Sequence, residues 1–163
     1  MAAHKAVDRL IAEWLSRAHP VPEQALAEWS AQRVALLPLG ERFAAVRVAA
    51  DVLHAAVGRE EPGRVADALA WLRTGPVIHD HRTAEATYYA LIQAHAGLVG
   101  SEDLLAPCLG KGTYLGVPRI DRREPPGTYW VVPPRHDGDL CHPETVRSLV
   151  RTARQALTHY ATA

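Results

Sequence analysis

The chain has 163 residues, of which 48% are hydrophobic and 22% are charged, and its formal net charge is zero. This length and balance are typical of one folded domain and exclude a disordered chain. Zero net charge also excludes binding to nucleic acid through the overall field of the protein, so such binding would need a local basic patch.

The N-terminal part of the chain predicts two helices followed by two strands. Apolar residues repeat at helical spacing over residues 1–15, and a second, shorter helix is predicted over residues 23–32. A short apolar strand follows at residues 35–38. Residues 42–48 alternate between two faces, which indicates a second strand. The amphipathic pattern of residues 1–15 does not resemble a signal peptide, so we expect a cytoplasmic protein.

The middle of the chain predicts two helices and then two strands. The helices are expected at residues 51–57 and from Pro62 to Gly75, because Pro favours the first helical turn and Gly ends helices. Residues 76–79 are a strand candidate. Residues 87–93, with the sequence TYYALIQ, have the strongest β character in the chain.

The C-terminal part is punctuated by glycine and proline. Residues 94–110 are expected to be irregular, with a helical turn at residues 101–105. Strands are predicted at residues 113–117 and 128–132, and we expect them to pair as a hairpin. The segment between them, residues 119–124, is called the basic link here; it contains Arg119, Arg122 and Arg123 together with Asp121 and Glu124.

A final helix is predicted from residue 143 to residue 159, with Arg147, Arg151 and Arg154 as a basic stripe beside its apolar face. The stripe is typical of a solvated helix face, and it could also meet an acidic partner or a nucleic-acid backbone. The strands are separated by turns more often than by helices, which favours an α+β fold over a doubly wound parallel sheet.

We therefore predict a single α+β domain with a mixed, mostly antiparallel sheet of about five or six strands and helices packed on it. Its parts are an N-terminal helical segment at residues 1–33, a sheet-containing core at residues 34–135 and a C-terminal helix at residues 143–159. No apolar run approaches the ~20 residues of a membrane-spanning helix, so no membrane partner is expected.

The glycines around Lys111 have two interpretations. Gly110 and Gly112 allow a close backbone approach, and the lysine could hold a phosphate. The spacing of a Walker A loop is absent, however, and a plain β-turn explains the glycines equally well. The arginines of the basic link also have two interpretations: they could hold phosphate beside stacking tyrosines, or they could pair with the acids of the link at the surface.

The histidines and cysteines give a weak alternative metal site. His79 and His81 flank Asp80, and residues two apart on a strand share a face, so both imidazoles could meet one zinc ion. The paired spacing of structural zinc ligands is missing, and Cys108 and Cys141 are more simply explained as small buried residues with reduced thiols.

Catalytic machinery is not evident in the sequence. Divalent-metal chemistry needs two or three converging acids, and Asp80 has no acidic residue two positions away. Asp137 and Asp139 have D-x-D spacing, but Gly138 between them is typical of a turn. A nucleophile elbow, G-x-S-x-G, is absent.

Five segments within residues 35–134 resemble a group of small actinobacterial, Streptomyces-type proteins of unassigned function, which are similar in turn to the N-terminal domain of bifunctional DNA primase–polymerases. The segments read ALLPLGERFAAVRV, GPVIHD, TYYALI, CLGKGTYLGVPR and EPPGTYWVVPP. Primase–polymerase domains carry an acidic D-x-D pair on a strand and a histidine on a later strand, whereas the strand here offers Asp80 alone. The resemblance implies a nucleotide- or nucleic-acid-shaped cleft that has lost its two-metal chemistry.

Together these observations predict a non-catalytic protein that binds a nucleotide, a single-stranded nucleic acid or a protein partner, with no cofactor. The predicted ligand-binding residues are Arg42, Arg47, Asp80, Lys111, Tyr114, Arg119, Arg122, Tyr129 and Arg135. One alternative is a nucleotide-directed enzyme that uses Asp80 with His79 or His81. Another is a structural interaction module, a homodimer formed through an aromatic surface around Trp14 and Trp29. Whether Arg47 and Asp80 face the same cleft depends on the fold.

Overall fold

The computed structural model describes residues 2–81, 85–95 and 105–162, and these ranges contain five helices and seven strands. The helices are α1 (Ala2–Ser16), α2 (Pro22–Gln32), α3 (Ala50–Val57), α4 (Pro62–Leu72) and α5 (Pro143–Thr162). The strands are β1 (Val34–Pro38), β2 (Phe43–Ala49), β3 (Val77–Asp80), β4 (Thr87–Gln93), β5 (Cys108–Leu109), β6 (Tyr114–Pro118) and β7 (Tyr129–Val132).

The predicted α+β class is confirmed, and each predicted helix and strand is present with small shifts at its ends. The short strand β5 was missed, because two residues are too few to show a periodic pattern. The helical turn expected at residues 101–105 lies largely outside the described residues.

The strands form a five-stranded sheet with the order β5-β2-β4-β3-β7 and a separate two-stranded ribbon of β1 and β6. Each strand pair in the described ranges is antiparallel. The predicted hairpin of β6 and β7 is therefore wrong: β6 pairs with β1, and β7 pairs with β3. The physical reason is the long connection between them, since hairpin loops usually have two to five residues.

The sheet is buried on both sides because alternate residues of its strands contribute to two separate cores. One side, called the helix face here, packs against α3, α4 and α5 and includes Val46 and Ala90. The other side, called the ribbon face, packs against α1, α2 and the β1–β6 ribbon and includes Phe43, Leu91 and Trp130. Two-sided burial explains why β2 is apolar along most of its length.

Two indole hydrogen bonds tie the ribbon into the ribbon-face core. Nε1 of Trp29 on α2 donates to the Val117 carbonyl at 2.8 Å, and Nε1 of Trp130 on β7 donates to the Pro118 carbonyl at 3.0 Å. Trp29 is only 4% exposed, and the Trp14 ring is half-buried with its centroid 6.1 Å from that of Phe43. Both rings therefore contribute to the protein's own core, and the homodimer through a surface around Trp14 and Trp29 stays a prediction.

Candidate ligand-binding site

One end of the five-stranded sheet carries polar side chains on both faces and is called the polar end here. Because the strands are antiparallel, β2 and β3 finish where β4 and β7 begin. The register pairs Ala49 and Asp80 with the same residue of β4, Thr87, and places His79 opposite Tyr129. The polar end thus unites residues that are as much as eighty positions apart in sequence.

Arg47 and Asp80 lie on the same face of the polar end. Arg47 follows Phe43 and Ala45 in the alternation of β2, which places it on the ribbon face, and its side chain is exposed. Asp80 follows Ile78 on the ribbon face of β3. Ile78 and Arg47 both pair with Tyr89 of β4, so Asp80 lies two strands away from Arg47 and two residues further along the strand direction. Strand spacings of ~4.8 Å and rises of ~3.3 Å per residue put their Cα atoms on the order of 12 Å apart.

The ribbon-face side of the polar end, with Arg47 and Asp80, is called the ribbon-face corner here, and Asp80 has a hydroxyl neighbour in it. The Thr128 hydroxyl donates to Asp80 Oδ1 at 3.3 Å, so a carboxylate and a hydroxyl stand together at the start of β7. Asp80 is half-buried, whereas Thr128 is buried. The pair is therefore held by the fold, and its position does not depend on a mobile surface side chain.

The ribbon leaves the corner around Arg47 accessible. The turn that follows β1 anchors the ribbon near the start of β2, where the Gly40 N–H donates to the Phe43 carbonyl at 2.9 Å. Its other anchor is the bond from Trp130 to Pro118 beside β7. Arg47 is at the opposite end of β2 from the first anchor and remains exposed.

The helix face of the polar end carries a histidine–tyrosine cluster, which comprises His54, His79, His81, Tyr88 and Tyr129. His79 is at its centre: its ring centroid lies 4.9 Å from that of Tyr88, 5.0 Å from that of Tyr129 and 5.7 Å from that of His81, on which it stacks. His54 on α3 is hydrogen-bonded through Nε2 to the Tyr88 hydroxyl at 2.9 Å.

Burial shifts the pKa values of four side chains in this cluster. Desolvation, followed by the neighbouring charge of His81, lowers the pKa of His79, and desolvation also lowers the pKa of His54. Desolvation raises the pKa values of Tyr88 and Tyr129. His54 and His79 are therefore neutral at neutral pH, with the tyrosines un-ionised. His79 Nδ1 is buried and lacks a hydrogen-bond partner among the described residues.

Strand alternation separates Asp80 from the two histidines beside it. Asp80 is on the ribbon face with Thr128, whereas His79 and His81 stack together on the helix face. The two imidazoles share a side, as the two-residue spacing predicts. Within the described ranges, no group of three or more histidine, cysteine or acidic side chains is arranged to hold a metal ion.

The two cysteines are free thiols in unreactive settings. Burial raises the pKa of Cys141 to about 12, and its Sγ donates to the Pro76 carbonyl at 3.1 Å. Burial also raises the pKa of the half-buried Cys108. Nucleophilic thiols have depressed pKa values, so neither cysteine fits that role.

Lys111, Tyr114 and Arg42 are near the opposite end of β2 from the polar end. Lys111 Nζ lies 3.7 Å from Glu41 Oε1, and Tyr114 is 66% exposed at the position paired with Pro38. The glycines around Lys111 form a turn, in which the Thr113 N–H donates to the Gly110 carbonyl at 3.1 Å. This geometry agrees with the interpretation of the two glycines as part of a plain β-turn.

The other predicted arginines have internal partners. Arg119 Nε lies 2.6 Å from Asp121 Oδ1, and the guanidinium of Arg122 donates to the Pro126 carbonyl. Arg135 is beyond the far end of β7, where its backbone N–H and Nε both donate to Asp139 Oδ2, at 2.9 Å and 3.4 Å.

The basic link nevertheless reaches the polar end, because the Trp130 N–H donates to the Arg122 carbonyl at 2.8 Å, two residues from Thr128. The nine predicted residues thus divide into separate groups, and Arg47, Asp80, Tyr129 and the backbone of Arg122 are those at the polar end.

Sequence reasoning missed His54, Tyr88 and Thr128. Their contacts join distant segments, and a local pattern carries no signal for such contacts.

Comparison with protein-family models, curated proteins and solved structures found no significant match for this chain. The resemblance to primase–polymerase domains therefore stays a prediction. Among the described helices, none has the length and apolar character needed to cross a membrane.

Proposed function

We propose that this protein binds a phosphate-bearing ligand of the nucleotide class at the ribbon-face corner of the polar end. The observation that carries the proposal is the position of Arg47. It is exposed and has no side-chain ion pair or hydrogen bond to another described residue, and it shares a face with the Asp80–Thr128 pair. The other predicted site cations near an acid, Lys111, Arg119 and Arg135, are paired internally.

The chemistry of the corner matches the parts of a nucleotide. A guanidinium offers a planar fork of donors to phosphate oxygens. A carboxylate accepts hydrogen bonds from sugar hydroxyls, and the adjoining threonine hydroxyl can both donate and accept. The separation on the order of 12 Å between Arg47 and Asp80 suits one ligand that touches both ends of the corner.

Binding without turnover is favoured over the enzyme alternative. Acid–base chemistry would be helped by a histidine beside Asp80, but His79 and His81 are on the other face of β3. Asp80 also lacks a second acid at the two-residue spacing that would help it to hold a metal–nucleotide complex.

The test is isothermal titration calorimetry with ATP and with a short oligothymidylate. Arg47→Ala should weaken binding by about 10- to 100-fold, because a hydrogen bond to a charged group contributes about 1.5–3 kcal/mol. Arg42→Ala is the matched control: it removes another exposed arginine that lacks a described side-chain partner, at the far end of β2. It should change the affinity less than twofold or so.

Two results would contradict the proposal. The first is that the wild-type protein binds neither probe up to millimolar concentrations. The second is that Arg47→Ala and Arg42→Ala weaken binding equally. Preference for the oligothymidylate over ATP, with a steep dependence on salt, would identify single-stranded nucleic acid as the ligand of the same corner.

A further inference from the structure

Trp71 on α4 is exposed to a degree that is unusual for tryptophan. Its side chain is 86% exposed, whereas Trp29 and Trp130 are buried and Trp14 is half-buried. Helix α4 turns Val65 and Leu69 into the core, and Trp71 is on a different side of the helix. An exposed aromatic side chain marks an interaction surface when it belongs to a contiguous apolar patch.

Trp71 is part of an open apolar groove between α3 and α4. The groove is lined by Ala56 and Val57 on α3 and by Ala68 and Leu72 on α4, with Leu72 46% exposed. This groove and the charged residues around it are called the Trp71 face here. Its apolar centre with a charged rim is the usual anatomy of a protein interface.

The charges of the Trp71 face are balanced. Residues 59–73, all of which the structure describes, contain three arginines and three acids, and each of these six is exposed. They are Arg59, Arg64, Arg73, Glu60, Glu61 and Asp67. The ion pair between Arg64 and Glu61, at 3.6 Å, is largely solvated, so its members can exchange partners at little cost.

Balanced charge around an apolar centre suits a second copy of the same chain. A twofold interface brings each patch against itself, so it must carry both signs to avoid repulsion. Helix α5 offers a contrast: it has Arg147, Arg151 and Arg154 but only Glu144 as an acid, and two copies of that face would repel.

We propose that the Trp71 face is the interface of a homodimer, with Trp71 as its central anchor. At 1.5 Å per residue, α4 is ~17 Å long and α3 is ~12 Å long, so two adjacent helices of ~10 Å diameter present roughly 300 Å² in projection. This is below the ~800 Å² per partner of a standard interface, so we expect a weak dimer with a dissociation constant in the micromolar range or above.

The test is sedimentation velocity from low micromolar to millimolar concentration. The wild-type protein should shift from monomer to dimer across this range. Trp71→Ala should weaken dimerisation at least tenfold, because anchor residues of this kind contribute about 2 kcal/mol or more. Tyr114→Ala is the matched control, since it removes another exposed aromatic side chain outside the groove, and it should leave dimerisation unchanged.

A charge-swap pair tests the twofold arrangement itself. An acidic variant carries Arg59→Glu with Arg64→Glu, and a basic variant carries Glu61→Arg with Asp67→Arg. Each should remain monomeric alone, and their mixture should form a heterodimer. The proposal is overturned by a wild-type monomer at all concentrations, by an unaltered dimer in Trp71→Ala, or by a mixture that associates no better than either variant alone.

Discussion

Replacement of His79 by phenylalanine should stabilise the protein. The buried Nδ1 atom of His79 lacks a described hydrogen-bond partner, and an unsatisfied buried polar atom costs about 1–3 kcal/mol. Phenylalanine keeps the ring contacts with Tyr88 and Tyr129 and removes the polar atom. Some of the gain is offset by the larger ring, so we expect the free energy of unfolding to rise by roughly 1 kcal/mol.

The pH dependence of stability should change in the same variant. Because the pKa of His79 is lowered in the folded protein, the unfolded chain binds more protons as the pH falls below the ordinary histidine pKa of 6.5. The wild-type protein therefore loses stability in this window, which extends down to the folded-state pKa. The His79→Phe variant should lose less stability over the same pH range, because it has no group at this position that binds a proton. The remaining loss includes His54, whose pKa is also lowered.

Urea unfolding followed by circular dichroism, at about pH 7.5 and about pH 5.5, measures both effects. His95→Phe is the control, because His95 is exposed and its replacement should change the free energy of unfolding by less than about 0.5 kcal/mol. A loss of more than about 1 kcal/mol in His79→Phe would refute the reasoning, since it would mean that the imidazole makes a stabilising polar contact.

Three further predictions concern the core. Gly75 has a φ of +94°, and a Cβ there would lie 2.9 Å from Cys141 Cα, so Gly75→Ala should lower the free energy of unfolding in urea by about 2–4 kcal/mol. Gly138→Ala, at a φ of +81° but with open space, should cost only about 1 kcal/mol, and equal losses would contradict the clash. Trp29→Phe should cost about 2–3 kcal/mol in the same assay, because it loses the bond to Val117 and leaves a void; a loss below about 0.5 kcal/mol would show that neither matters. Cys141 should resist iodoacetamide in the native protein at about pH 8 and react in urea, as read by mass spectrometry; rapid native labelling would contradict its burial.

The helices and strands could be predicted because their patterns are local. The periodic apolar residues of α1 and the alternation of β2 each follow from one stretch of sequence, and the structure reproduces them. Strand partners could not be predicted in the same way. The run at β6 has the same character whether it pairs with β7 or with β1, and the choice depends on the ribbon-face core that Leu115 and Val117 complete.

The candidate site was accessible to sequence reasoning only in part. Arg47 and Asp80 could be named as polar residues at strand ends, but their common face depends on the register of β4 between them. The bond between His54 and Tyr88 depends on how α3 packs beside β4, which no local pattern specifies. The pair of Arg119 and Asp121 is local, and the composition of the basic link does predict it.

The most direct test of ligand binding at the polar end is an amide NMR titration of the full chain with ATP. Binding at the proposed corner should shift the amide signals of Arg47, Ala49, Asp80, Thr87 and Thr128 together and in a saturable way. The signals around Lys111 and Arg135, at the far ends of β2 and β7, should remain in place. Saturable shifts confined to those far ends, or the absence of any shift at millimolar ATP, would contradict the proposed site.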